Sequence, residues 1–136
     1  DIALKKNVHL FIEGHKTMCR TVRPILEEIL YNLCDNGIKY NKDDGTMSIH
    51  ITEEEENVRI VVKDNGIGIP REDINRVFER FYRVDKSHSR EIGGTGLGLS
   101  IVKHGVTFLG GSTGLVSEVG KGSEFTVILP KDGKKE

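Results

Sequence analysis

Asn32, Asn36 and Tyr40 stand four residues apart, with Lys39 beside them, in a stretch whose apolar residues recur at helical spacing. Positions four apart share one face of a helix, so these polar groups line up along one side. An amide on a mainly apolar helix is costly unless its oxygen and nitrogen find partners. Mg²⁺ favours oxygen ligands, keeps several waters and takes few protein groups where phosphates supply the rest. One amide oxygen, that of Asn36, would suffice. Lys39 would then offer an ammonium to a phosphate and Tyr40 a hydroxyl. The same residues would also serve as a polar helix surface, or the asparagines as local backbone caps.

Asp64 closes an apolar run and is followed by Asn65, Gly66, Ile67 and Gly68. Asp-Asn-Gly is a strong turn signal in its own right. It also has a chemical reading. An ionised carboxylate only accepts hydrogen bonds, so it matches the exocyclic amino group of adenine. Guanine presents a carbonyl there, and leaving a buried acceptor unpaired costs about 1–3 kcal/mol or more. Gly66 and Gly68 would let backbone approach the flat base closely.

Residues 93–100, GGTGLGLS, resemble two phosphate-binding loops without being either. No lysine follows the glycines as a Walker A loop demands, and Leu99 stands where a dinucleotide fingerprint needs its third glycine. What remains is a glycine-rich loop entering a helix at about Leu97, where free N–H groups and the helix dipole attract anions. Gly94, Gly96 and Gly98 would let backbone wrap phosphates, and Thr95 would add a hydroxyl donor. Upstream, the guanidinium of Arg83 could reach a terminal phosphate. Arg76 and Arg80 read as solvated, and Phe78 with Phe81 as core packing.

The elements that must position these groups are legible from periodicity. Residues 8–12 form a strand. From Pro24, suited to a first helical turn, Ile25, Leu26, Ile29, Leu30 and Leu33 predict a helix to about Tyr40. Strands follow over 47–52 and 58–62, joined by an acidic tip that must be solvated because like charges repel when desolvated. After Pro70, Ile74, Val77, Phe78 and Phe81 predict a short helix with one apolar stripe. Residues 83–95 form a long polar loop of the functional or mobile sort. A helix over 97–109 and strands over 114–119 and 123–129 complete an α/β fold. The expected architecture is a two-layer α/β sandwich, a mixed sheet of about five strands covered by about three helices.

At 136 residues, with 36% hydrophobic and 30% charged content, this is one domain over residues 1–136. A net charge of −1 gives no global attraction to nucleic acid or to an anionic membrane. No apolar run reaches the roughly 20 residues of a membrane helix. Cys19 and Cys34 form no C-x-x-C and read as reduced, buried thiols of a cytoplasmic protein. The chain opens on Asp1 and reads as a piece of a longer protein.

Four runs occur in one order: NLCDNGIKY at 32–40, DNGIG at 64–68, RVFERFYR at 76–83 and GGTGLGLS at 93–100. Together they resemble the N box, first glycine box, F box and second glycine box of bacterial sensor histidine kinases, most like the phosphate-regulon type. The resemblance runs from about Val8 to Pro130. It implies a fold shared with gyrase, heat-shock chaperone and mismatch-repair ATPases, and Mg·ATP bound beneath a mobile lid over about 82–94. By matched position, Asn36 would hold Mg²⁺, Asn32, Lys39, Tyr40 and Arg83 would contact or orient phosphates, and Asp64 would recognise adenine. Gly66 and Gly68 would pack by the base. Tyr82, Gly94, Thr95, Gly96, Leu97 and Gly98 would meet the nucleotide from the lid and its borders. Gly37 departs from the family, standing where alanine is usual, and Gly105 puts the rigidity of the last helix in doubt.

The family transfers the γ-phosphoryl group of ATP to a histidine on a separate dimerisation and phosphoacceptor domain, and a response regulator acts downstream. That histidine typically precedes an acidic residue, and none of His9, His15, His50, His88 or His104 does. The acceptor is therefore expected outside this chain, in a parent anchored in the membrane as a dimer, with this domain cytoplasmic and monomeric when isolated. An alternative is a self-contained ATPase of the gyrase and chaperone kind. Such an enzyme needs a glutamate one turn before its metal asparagine, where Asn32 stands. Only a register with Asn32 as metal ligand and Glu28 as base would supply it. A nucleotide-binding regulatory module without transfer activity is a third reading.

Overall fold

Val58, Ile60, Val62 and Asp64 are buried and the residues between them are not. That period of two makes β3 (Asn57–Asp64) a strand with one face turned to a core. A computed structural model, which describes residues 7–14, 17–82 and 98–132, surrounds it with β1 (His9–Gly14), β2 (Thr46–Glu53), β4 (Ser112–Glu118) and β5 (Gly122–Pro130). The sheet runs β1-β2-β3-β5-β4. β1 lies parallel to β2 and the remaining neighbours are antiparallel, so the sheet is mixed as expected. Across its centre, Met47 of β2, Asp64 of β3 and Ser123 of β5 fall in one row.

Two α-helices cover one face, α1 (Arg23–Lys39) and α2 (Gly98–Phe108). Pro24 lies in the first turn of α1, where its missing N–H costs nothing. Ile29 and Leu33 of α1 join Val102, Val106 and Leu109 and close on Met47, Val62, Phe125, Val127 and Leu129 of the sheet. The opposite sheet face carries residues such as Lys63, Glu124 and Val116, the last of these exposed.

Gly105 does not interrupt α2, which is continuous through it. It is the place where the helices approach: a Cβ there would lie 3.0 Å from Ile29 Cγ1 and 3.3 Å from Ile25 Cγ2. Gly105→Ala would gain about 1 kcal/mol of helix propensity. It would also overpack against Ile29, which is 0% exposed and has nowhere to go, at about 1–3 kcal/mol. The net expectation is a destabilisation of about 1 kcal/mol, read from the urea midpoint at constant slope.

The helix expected after Pro70 is a correction. The segment is one 3₁₀ turn, Arg71–Asp73, continued by tight turns. Its backbone N–H groups bond three residues back, Asp73 to Pro70, Arg76 to Asp73, Glu79 to Arg76 and Tyr82 to Glu79. Phe81 ends the run at φ 68°, a left-handed conformation no helix contains. The apolar stripe misled because its members serve different ends. Val77 is buried, Phe78 meets Phe125 edge-on at 6.1 Å, and Phe81 is 64% exposed.

The acidic β2–β3 tip is solvated as expected, but two cations brace it. Arg59 Nε lies 2.9 Å from Glu54 Oε2 and Lys131 Nζ 2.6 Å from Glu53 Oε2. Cys19 and Cys34 are free thiols and half-buried rather than buried. Among the described residues, no helix is long and apolar enough to cross a membrane.

Candidate functional site

α1 presents Asn32, Asn36, Lys39 and Tyr40, all half-buried, beside the buried Gly37. Asn32 turns its Nδ2 back to donate to the Glu28 carbonyl at 2.8 Å. Its Oδ1 lies 3.2 Å from where a Cβ on Gly98 would stand, so Asn32 meets the first turn of α2. Lys39 Nζ pairs with Asp35 Oδ2 one turn back at 3.1 Å. Tyr40 caps the helix, and its carbonyl accepts from Ile67 N at 3.1 Å, tying the helix end to the turn after β3.

Asp64 is 9% exposed at the end of β3. Its Oδ1 accepts from Gly66 N at 2.9 Å, the local bond that makes Asp-Asn-Gly a turn. Burial pushes the Asp64 carboxyl above its ordinary pKa, opposed by the backbone N–H groups of Gly66 and Ser123. A charged group kept in a dry place at the end of a strand is a poor structural choice and a good ligand acceptor.

Gly68 sits at φ 78°, and a Cβ on it would collide with the Glu118 carbonyl. Gly120 N donates to Ile67 O at 2.9 Å and Ile69 N to Ser117 Oγ at 2.8 Å, so the β4–β5 turn holds this segment down. Asn65 Oδ1 accepts from Thr46 N at 2.7 Å, and Asn41 Nδ2 donates to Thr46 O at 3.0 Å. These two asparagines fasten the loops around Asp64. Neither stood out in the sequence beyond its turn-forming type.

The fold therefore brings Asp64, Gly66 and Gly68 to the C-terminal end of α1, and Gly98 to Asn32 one to two turns earlier. Between Asn32 and Gly37, α1 rises about 7–8 Å, with Asn36 in between. Tyr82 is held differently: its hydroxyl donates to Asp73 Oδ1, and the Arg76 guanidinium lies 4.4 Å from its ring centroid. The bond to Asp73 pushes the Tyr82 phenol above its usual pKa. Arg76 and Arg80 are exposed, as expected. Arg83, Gly94, Thr95, Gly96 and Leu97, with the rest of the expected lid, lie outside the described residues.

Among the described residues no three His, Cys, Asp or Glu side chains cluster to hold a metal ion. A cation here would take its ligands from an amide and from groups brought in with a substrate. The donor chemistry of Asn36 fits such a role, since a neutral amide oxygen suits Mg²⁺ and adds no charge against a polyphosphate.

A family model described as histidine kinase-, DNA gyrase B-, and HSP90-like ATPase matches residues 21–133. The sensor histidine kinase WalK of Bacillus subtilis is 47% identical over 113 residues, which are 82% of this chain and 18% of WalK. The chain spans less than a third of the curated relatives it matches, 18%, 28% and 26% of the first three. Among solved structures, full-length ShkA in complex with AMPPNP superposes with a TM-score of 0.79 at 26% identity, over 99% of this chain and 28% of that one. The nucleotide-free catalytic domain of histidine kinase ThkA superposes at 0.80 with 26% identity, over 96% and 83%.

Proposed function

The chain belongs to the histidine kinase-, DNA gyrase B- and HSP90-like ATPase family, and from that membership we propose that it is the ATP-binding catalytic domain of a two-component sensor histidine kinase. The observation that carries the reading is the pairing of a buried carboxylate, Asp64, with the polar face of α1 that leads to the start of α2. One end suits a purine and the other a phosphate chain.

In this reading Asp64 accepts a hydrogen bond from the adenine amino group while Gly66 and Gly68 keep the adjoining backbone low beside the base. Asn36 would hold Mg²⁺, which neutralises phosphate charge. Lys39 exchanges part of its pairing with Asp35 for a phosphate oxygen, and Asn32 orients the chain of phosphates toward Gly98. Arg83 and the glycines of 93–98 contact the remaining phosphate oxygens. The γ-phosphoryl group passes to a histidine nitrogen: the bond between phosphorus and the β–γ bridging oxygen breaks, a P–N bond forms and ADP leaves. Such a transfer depends mainly on positioning and charge stabilisation, so the domain needs no nucleophile of its own.

The acceptor histidine belongs to a separate dimerisation domain of a membrane-anchored parent, and a response regulator receives the group afterwards. His9 and His50 lie in strands and His104 precedes Gly105 on α2, positions unsuited to that role.

Binding of a non-hydrolysable ATP analogue, titrated by calorimetry with and without Mg²⁺, tests the reading. Binding strengthened by Mg²⁺ is expected, and no binding by the folded domain would overturn it. The self-contained ATPase has its own test. Glu28, exposed on α1, should be dispensable, so Glu28→Gln is expected to leave ATP turnover by the isolated domain within about twofold of the parent. Loss of a robust turnover, on the order of 10²-fold or more as for a removed general base, would move the metal to Asn32 and make this a hydrolase.

A further inference from the structure

Gly37 and Met47 have no part in the roles above, yet Met47 pairs with Asp64 across the strands and Gly37 lies over both. Met47 is the cross-strand partner of Asp64 between β2 and β3. Such partners on one face stand about 4.5–5.5 Å apart at Cβ. Gly37 comes down on them from α1. A Cβ there would fall inside contact distance of Met47 Sδ, 3.3 Å from Met47 Cγ and 3.9 Å from Asp64 Oδ2. The Met47 side chain, 1% exposed, thus occupies the room that a methyl at position 37 would need. Asp64 is fixed on its other sides by Gly66 N on Oδ1 and by Ser123 of β5.

We propose that Gly37 and Met47 act as a pair that positions the Asp64 carboxylate for base recognition. The absent side chain at 37 admits the thioether, and the thioether walls the flank of Oδ2. A thioether is flexible, fills an irregular gap and donates no hydrogen bond. It therefore excludes water beside the carboxylate without competing with an incoming amino group. The proposal rests on reading Asp64 as the adenine acceptor.

The pair predicts compensation. Gly37→Ala alone drives Met47 toward the carboxylate, and ADP affinity should fall about tenfold through overpacking. Valine at 47 ends two atoms short of methionine and lacks Sδ, so Gly37→Ala with Met47→Val should recover to within about threefold of the parent, because neighbouring sites couple. Met47→Val alone opens the flank to water, and the preference for ADP over GDP should fall about tenfold. Met47→Leu, which keeps volume and apolarity, should retain both affinity and preference.

The experiment is calorimetric titration of ADP and GDP into the chain and these four variants, with thermal unfolding to confirm that each is folded. Recovery in the double variant, together with retention in Met47→Leu, supports the pair. Independent, multiplicative losses in the single and double variants overturn it while leaving the function intact. Should Gly37→Ala not fold, unchanged ADP preference in Met47→Val overturns it equally. A parent chain that binds ADP no better than GDP overturns the role of Asp64 itself, and the pair with it.

Discussion

Asp64→Asn is expected to weaken ATP binding by roughly 100-fold while leaving the empty domain at least as stable at neutral pH. The carboxylate has two acceptor oxygens. The backbone N–H groups of Gly66 and Ser123 occupy part of their capacity, and the lone pairs left over can take an adenine amino hydrogen. An asparagine has one oxygen and one NH₂, so whichever way it turns, a donor meets a donor. Losing a bond to a charged acceptor and stranding a buried donor together cost about 3 kcal/mol, hence the 100-fold.

The stability half of that result follows from the same burial. The Asp64 carboxyl is raised above its ordinary pKa, chiefly by desolvation. Between the ordinary value and the raised one, the native chain keeps a proton that the unfolded chain has released. Stability therefore falls as pH rises through that window, and above it the whole cost of the buried charge is present. Asp64→Asn carries no such charge. Its stability relative to the parent should grow with pH across the window and then level off, as urea unfolding at several pH values would read. Nucleotide affinity of the parent should fall on acidification at a higher pH than an ordinary aspartate would give. A variant that loses stability and affinity together at all pH values would make Asp64 a structural residue.

Asn36→Ala is expected to erase the gain in ATP affinity that Mg²⁺ brings and to slow phosphoryl transfer to a phosphoacceptor domain by roughly 10²–10³-fold. Alanine is the better helix former, by about 0.5 kcal/mol. α1 should therefore hold, and affinity measured without Mg²⁺ should change little. That separation marks a metal ligand, since a collapsed helix would lose both. If Asn32→Ala erased the Mg²⁺ dependence and Asn36→Ala did not, the metal site would move one turn toward the N-terminus.

Periodicity exposed most of the elements because burial on one face imposes it directly. The alternation in 57–64 and the spacing of Ile25, Ile29 and Leu33 each have one structural solution. The segment after Pro70 failed the same test. Val77 and Phe78 are anchored to different surroundings than the exposed Phe81, and a stripe read from spacing cannot tell anchors from bystanders. Gly105 misled in a related way. Its weak helix propensity was visible, but the Ile25 and Ile29 side chains that explain it come from residues 80 and 76 positions away.

The site divides along the same line. Residue types and local spacing were enough to single out Asn32, Asn36, Lys39, Tyr40 and the Asp64 turn, because their chemistry is carried by neighbours in the chain. Which of them share a space was decided by tertiary structure alone. The register of β2 on β3 sets Met47 opposite Asp64, the approach of α1 lowers Gly37 onto both, and the crossing of α1 with α2 brings Gly98 to Asn32. A chain can encode a donor or an acceptor in one residue. The distance between two of them, and the dryness of the place where they meet, exists only after distant strands and helices have packed.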